Sequence, residues 1–139
     1  VPYASITLPR TIYYEILYRA QAELVCEVCG LVGGKEGQVS VHLPLANAAA
    51  DPRTRYAIAP ADFVRAYRAI EQVGDLIGIY HSHPRGTAVP SPVDIAEATW
   101  LDVAYLIVGL GPVEPELRAW DLRSRPTREI PIEGGRAGP

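Results

Sequence analysis

Apolar positions along the chain change their period several times, and each change marks a candidate element. Ala4 to Leu8 alternates, as a short strand does. Pro9 suits a first helical position, and Ile12, Ile16, Leu17, Ala20 and Leu24 then recur at helical spacing, so a helix should run to about Leu24. Cys26 to Gly34 turns β-rich. A polar turn over Lys35 to Gln38 and a second stretch, Val39 to Leu43, complete a predicted hairpin. After a loop around Asn47 to Thr54, Arg55 to Ile58 reads as another short strand. Pro60 and Asp62 open a second helix, with Phe63, Ala66, Tyr67 and Ile70 on one face, and Gly74-Asp75 stops it.

Leu76 to Tyr80 is a short apolar run of the kind a buried strand uses, and it leads straight into His81-Ser82-His83-Pro84. Ser91-Pro92-Val93-Asp94 starts a third helix. Ala104 to Val108, Leu117 to Leu122 and Arg128 to Ile132 follow as strands. Strands mixed with flanking helices predict an α/β or α+β domain around one sheet. With no repeat and no linker, residues 1–132 form that single domain and residues 133–139, rich in glycine, form a flexible tail.

Composition adds mainly exclusions. The chain has 139 residues, 48% hydrophobic and 21% charged, enough for one core without disulfide staples. A net charge of −3 argues against nucleic acid or an anionic membrane surface as the main partner. No apolar run approaches the ~20 residues of a spanning helix and no signal peptide is visible, so the expected location is cytoplasmic. The 13 prolines and 12 glycines are spread along the chain, which marks many turns in a compact fold. Cys26 and Cys29 form one C-x-x-C, half of a zinc site or a redox pair, with no second pair to complete it.

The densest chemical signal is residues 81–94, HSHPRGTAVPSPVD. In an extended segment, residues i and i+2 point the same way, so His81 and His83 can converge on one metal. Pro84, Gly86 and Pro90 let the loop turn back and present Asp94 from the first turn of the next helix. Two imidazoles and a carboxylate leave a fourth position on Zn²⁺ for water, the arrangement of a catalytic site, and zinc brings the pKa of such a water toward ~7. Ordinary loop hydrogen bonds are the competing account, since Ser91 at the N-cap, Pro92 at N1 and Asp94 at N3 also make a sound helix start. A proton acceptor is still needed, and Glu27 is the candidate, although spacing alone does not single it out among sixteen acidic residues.

Glu-x-Cys-Gly at 27–30, with His-x-His-Pro, five residues and Pro-Ser-x-x-Asp at 81–94, resembles the JAMM (MPN-plus) metalloprotease family. Asn47-Ala48-Ala49 and Ala59-Pro60-Ala61-Asp62 look like its short bacterial members, which act on ubiquitin-like and sulfur-carrier proteins. The chain departs from many members at Leu24-Val25-Cys26, where they carry proline. The resemblance implies a mostly antiparallel twisted sheet flanked by helices, the cytidine-deaminase-like MPN fold. It implies that His81, His83 and Asp94 bind zinc, that Glu27 is the general base, and that Ser91 stabilises the oxyanion, a role that competes with capping. Ser82 should point away and be structural. The implied activity is a zinc-dependent peptidase or isopeptidase, cutting after the C-terminal Gly-Gly of a ubiquitin-like or sulfur-carrier protein, with cysteine or lysine as leaving group. In the loop from Asp51 to Arg55, Arg53 and Arg55 would offer cationic contacts to an acidic carrier, against the alternative of a solvated surface loop. The alternatives are a zinc hydrolase of another small amide and a non-catalytic MPN-type scaffold; a redox or metal-sensing module on Cys26 and Cys29 is a further class.

Overall fold

In the computed structural model the strands join into one curled sheet; the structure describes residues 2–111 and 113–134. In chain order the elements are β1 (Ile6–Thr7), α1 (Arg10–Ala22), β2 (Cys29–Lys35), β3 (Gln38–Leu45), α2 (Pro60–Glu71), β4 (Asp75–His83), α3 (Pro92–Glu97), β5 (Ala104–Gly109), β6 (Glu116–Asp121), β7 (Arg128–Ile130) and β8 (Ile132–Glu133). The sheet order is β7-β6-β5-β4-β2-β3-β1-β8. The pairs β2–β3, β2–β4, β5–β6 and β6–β7 are antiparallel, while β4–β5, β1–β3 and β1–β8 are parallel. β7 and β8 occupy opposite edges of the sheet yet are separated in sequence only by Pro131. The sheet must therefore curl until its two edges meet at that residue.

Two cores follow from the two faces. On one, α1 lays Ile12, Ile16 and Ala20 against Val32, Tyr80 and Leu106. On the other, α2 lays Ala66 and Ile70 against Leu31, Ile79 and Ile107. β5 shows the alternation plainly: Ala104, Leu106 and Val108 join the first core, Tyr105 and Ile107 the second. A bulge in the β2–β4 ladder, between Val32 and Gly33, turns Ile77 to the α1 side while Leu76 and Ile79 face α2. That explains why this run looks uniformly apolar.

Several sequence expectations change. Pro9 is the N-cap of α1 and the helix ends at Ala22, two residues early. The first strand shortens to Ile6–Thr7, and β2 starts at Cys29 instead of Cys26. Arg55 to Ile58 is extended but is no strand, because its peptide groups bond to the Asn47 side chain and to Ala48 instead of a ladder. The last strand divides at Pro131, which has no N–H for the β6 ladder and gives its carbonyl to Ile6 N–H at 2.9 Å. Glu133, expected in the tail, pairs with Thr7 in β8; residues 135–139 of that expected tail lie outside the described residues.

Gly30, in the Glu-x-Cys-Gly motif, is where β2 meets a large ring. It pairs with Tyr80, and a Cβ there would lie 2.7 Å from Tyr80 Cζ and 2.6 Å from Leu43 O. The ring has nowhere to go, since its hydroxyl is held by Arg19 Nη1 at 3.0 Å and His42 Nε2 at 2.6 Å. Gly30→Ala should therefore cost about 1–3 kcal/mol or more of stability, read as a lower urea midpoint at unchanged m-value.

Candidate active site

The C-terminal end of β4 supplies two of the site's side chains. His81 and His83 share a face, as their period-two spacing predicts, and their Nε2 atoms lie 3.1 Å apart. Between them Ser82 faces the other way and accepts the Val28 N–H at 2.9 Å, while its own N–H bonds to Val28 O. Ser82 is thus structural, as expected. β5, parallel to β4, returns the chain through the 84–91 loop and α3. Trp120 Nε1–H to Ala88 O (2.8 Å) and Gly111 N–H to Gly86 O (3.0 Å) fasten that loop.

α3 then delivers Asp94. Ser91 Oγ accepts the Asp94 N–H at 3.0 Å, and Ser91 N–H reaches Asp94 Oδ2 at 2.9 Å, a reciprocal capping box. Asp94 Oδ1 lies 3.1 Å from His81 Nε2 and Oδ2 lies 3.0 Å from His83 Nε2. Capping and convergence on the histidines therefore coexist in one residue.

The protonation chemistry of this cluster calls for a cation. His83 Nδ1 donates to Thr87 O at 2.8 Å, so the neutral ring turns its Nε2 lone pair toward Asp94 and His81. One ligand atom from each of the three residues lies within 4.8 Å of the others. Burial pulls His81 down despite the Asp94 carboxylate beside it. For His83 burial acts downward too, but the bonds to Asp94 and to Thr87 O prevail and raise it. Asp94, although burial pushes upward, is held far below the carboxylate range by both imidazoles and the Ser91 N–H. Two imidazole nitrogens and one carboxylate fit zinc at a site with an open position.

Glu27 comes from the residues just before β2. The β2–β4 ladder ends at the Cys29–His81 pair, the Val28–Ser82 bonds carry the contact one residue further, and Glu27 beyond them feels the charges of His83 and Asp94. Its side chain is buried, 7% exposed, and Oε1 has no hydrogen-bond partner. Burial raises its pKa to about 7; His83 pulls the other way and Asp94 adds to the rise. A carboxylate so placed can take and return a proton near neutral pH.

The remaining residues divide. Arg55 Nη1 pairs with Glu97 Oε1 at 2.6 Å, and Arg53 Nε lies 3.8 Å from Asp51, both pairs at the surface. Cys26 and Cys29 are free thiols, and burial pushes Cys29 to about 11, where it is inert. Tyr56, absent from the sequence expectations, stacks on His81 with ring centroids 4.4 Å apart and 18° between planes. It also lines a cavity of about 410 Å³, with Phe63, Val93, Trp100 and Tyr105, that reaches Asp94. Asn47 holds Glu27 O at 2.9 Å, a contact whose only sequence signal was the Asn-Ala-Ala stretch.

Residues 9–123 match the family of prokaryotic homologs of the JAB domain. The chain is 42% identical over 84 residues to the desampylase of Haloferax volcanii, 58% of this chain and 60% of that protein. It is 40% identical over 103 residues to a probable TtuB-protein conjugate cleaving protease of Thermus thermophilus, covering 73% of this chain and 68% of that one. The first of these matches thus spans three-fifths of its relative's length. In fold the chain is similar to a JAB1/MPN domain protein of Archaeoglobus fulgidus, with a TM-score of 0.61 at 17% identity over 92% and 97% of the two chains. Among the described residues no helix is long and apolar enough to cross a membrane.

Two outcomes follow from this geometry. His83→Ala or Asp94→Asn should abolish stoichiometric zinc in elemental analysis of the purified protein, whereas Cys26→Ser with Cys29→Ser should retain it. In metal-free protein, Glu27→Gln should raise the melting temperature. The ionised form of a group with a raised folded-state pKa is the costly one, so the gain is full above about pH 7 and fades as pH falls toward the ordinary value of 4.5. Melting curves from pH 4 to 9 read this directly, and a pH-independent difference contradicts it.

Proposed function

The chain belongs to the prokaryotic homologs of the JAB domain, and from that premise we propose a zinc-dependent peptidase or isopeptidase. It hydrolyses the bond after the C-terminal Gly-Gly of a ubiquitin-like or sulfur-carrier protein. The observation that carries the reading is Glu27, a buried carboxylate with an unpartnered oxygen that feels the charges of His83 and Asp94. A scaffold has no use for such a group, since burying it costs stability.

His81, His83 and Asp94 would hold the metal. Zinc, when bound there, polarises a carbonyl and lowers the pKa of water. Glu27 takes the proton of the attacking water and later passes it to the leaving amine, a task suited to a buried carboxylate with an unpartnered oxygen. Ser91 Oγ spends a lone pair on the Asp94 N–H, which leaves its own hydrogen to donate toward the developing oxyanion. The apolar cavity beside Asp94 receives the incoming chain, and the exposed Arg53 and Arg55 face an acidic carrier.

Carrier–cysteine and carrier–lysine adducts incubated with the zinc-loaded protein test the reading, with mass spectrometry of the products. The free carrier ending in Gly-Gly should appear. Glu27→Ala should keep its zinc and lose about 10²–10⁴-fold in kcat. If neither adduct is cut, or if Glu27→Ala cuts as well as the parent, the assignment fails.

A further inference from the structure

We propose that Asn47 is a positioning residue, whose side-chain amide clamps the main chain of Glu27 to the 48–57 loop and thereby aims the Glu27 carboxylate. This rests on the role given to Glu27 above. Glu27 lies before the first residue of β2, outside the paired region of the sheet. Its two peptide groups find partners elsewhere. The N–H donates to Pro52 O at 2.8 Å, and the carbonyl accepts from Asn47 Nδ2 at 2.9 Å. Both partners belong to the segment between β3 and α2.

The Asn47 side chain is used to capacity. Nδ2 also donates to Arg55 O at 2.9 Å and more weakly to Pro52 O at 3.4 Å. Oδ1 accepts the N–H groups of Ala49 (3.0 Å) and Ala57 (3.1 Å). An asparagine amide has two donor hydrogens and two acceptor lone pairs, so this site exhausts its repertoire. The bond from Ala49 is an Asx turn, which closes the start of the loop, and the bond from Ala57 closes its end. Ala48 N–H to Ala57 O at 2.7 Å seals the same closure through the backbone.

Two parts of the active site hang on that closure. One is Glu27. Since its Oε1 has no hydrogen-bond partner, the direction of its carboxylate is inherited from the main chain that Asn47 holds. The other is Tyr56, between two Asn47-bonded residues, whose ring covers His81. A displacement of ~1 Å in a base is enough to cost about a hundredfold in rate. Asn47 touches no reacting atom, so its effect on turnover must pass through these neighbours.

The test combines Asn47→Ala and Asn47→Asp with Glu27→Ala in the zinc-loaded protein. Asn47→Asp retains the acceptor oxygen for Ala49 and Ala57 and loses both donors, so it serves if Asn47→Ala does not fold. The expected result is unchanged zinc content, kcat lowered by about ten- to a hundredfold on the carrier adduct, and KM changed much less. In the Glu27→Ala background the same substitution should cost far less, because the base it aims is gone and only the Tyr56 contact remains to be disturbed. Hydrogen exchange at the Glu27 amide should accelerate at least tenfold, while Leu31 and Ile79 in the ladder keep their protection. Full kcat in a folded Asn47 variant, equal losses with and without Glu27, or unchanged exchange at Glu27 would each overturn the proposal. If the parent protein cuts no adduct, the functional reading falls, and the exchange measurement alone decides whether Asn47 is the clamp.

Discussion

Asp94 sits between two imidazole nitrogens that already face each other at 3.1 Å, and this crowding of acceptors organises the whole site. With the His83 Nδ1 proton committed to Thr87 O, the protein lacks hydrogens to satisfy every lone pair in the cluster. Such an arrangement would drift apart unless its backbone were held from outside. The 84–91 loop is held by Trp120 and Gly111, which stay clear of the convergence point, and by the Ser91 capping box, whose N–H reaches Asp94 Oδ2 itself. Gly109 allows the loop to lie flat on β5, since a Cβ there would meet Thr87 Cα at 2.9 Å. The sheet and loop thus supply a fixed frame, and a divalent cation supplies the missing positive charge.

The alternation of β4 divides labour between the two faces of the sheet. Tyr80 and Ser82 point toward α1, His81 and His83 away from it. On the α1 side, Tyr80 hydroxyl meets Arg19 and His42, and Arg19 also grips Cys29 O at 2.6 Å and Leu45 O at 2.9 Å. Ser82 binds Val28 next to Glu27. The residues that alternate with the two histidines are therefore the ones that pin β4 to β2. The strand that carries His81 and His83 is thus fixed from the opposite face, while Thr87 O and the Tyr56 ring hold the imidazoles on their own side.

Legibility in the sequence followed the range of the interactions. His81 and His83 could be read from strand period alone, and Asp94 from a cap three residues long, because both signals are local. Glu27 emerged only through its motif, since nothing within a few residues tells that its carboxylate will be buried beside His83. Tyr56 and Asn47 were not legible as parts of the site. Their partners lie across the fold, and an asparagine before two alanines looks like any loop start. The error at Arg55 to Ile58 has the same origin. The backbone is extended as its residues favour, but one amide side chain takes the place of a neighbouring strand. Pro131 shows the opposite case, where a single residue's missing N–H divided an apparently continuous strand.

The two carboxylates of the site illustrate how one cluster produces opposite acid strengths. Asp94 lies against two imidazoles and accepts a main-chain N–H, and these neighbours outweigh its burial. Glu27 is buried without equivalent partners, so desolvation dominates and its pKa rises to about 7. Asp94 adds to that rise while His83 opposes it, which means the ionic state of the cluster is felt directly at Glu27. A group of charge +2 held by His81, His83 and Asp94 would act as His83 does, only more strongly, and favour the ionised carboxylate. Environments that push two neighbouring carboxyls apart mark which binds and which moves protons. Here Asp94 has the environment of a permanent anion while burial opposes the ionisation of Glu27, and that contrast supports the roles proposed for them without reference to their order in the sequence.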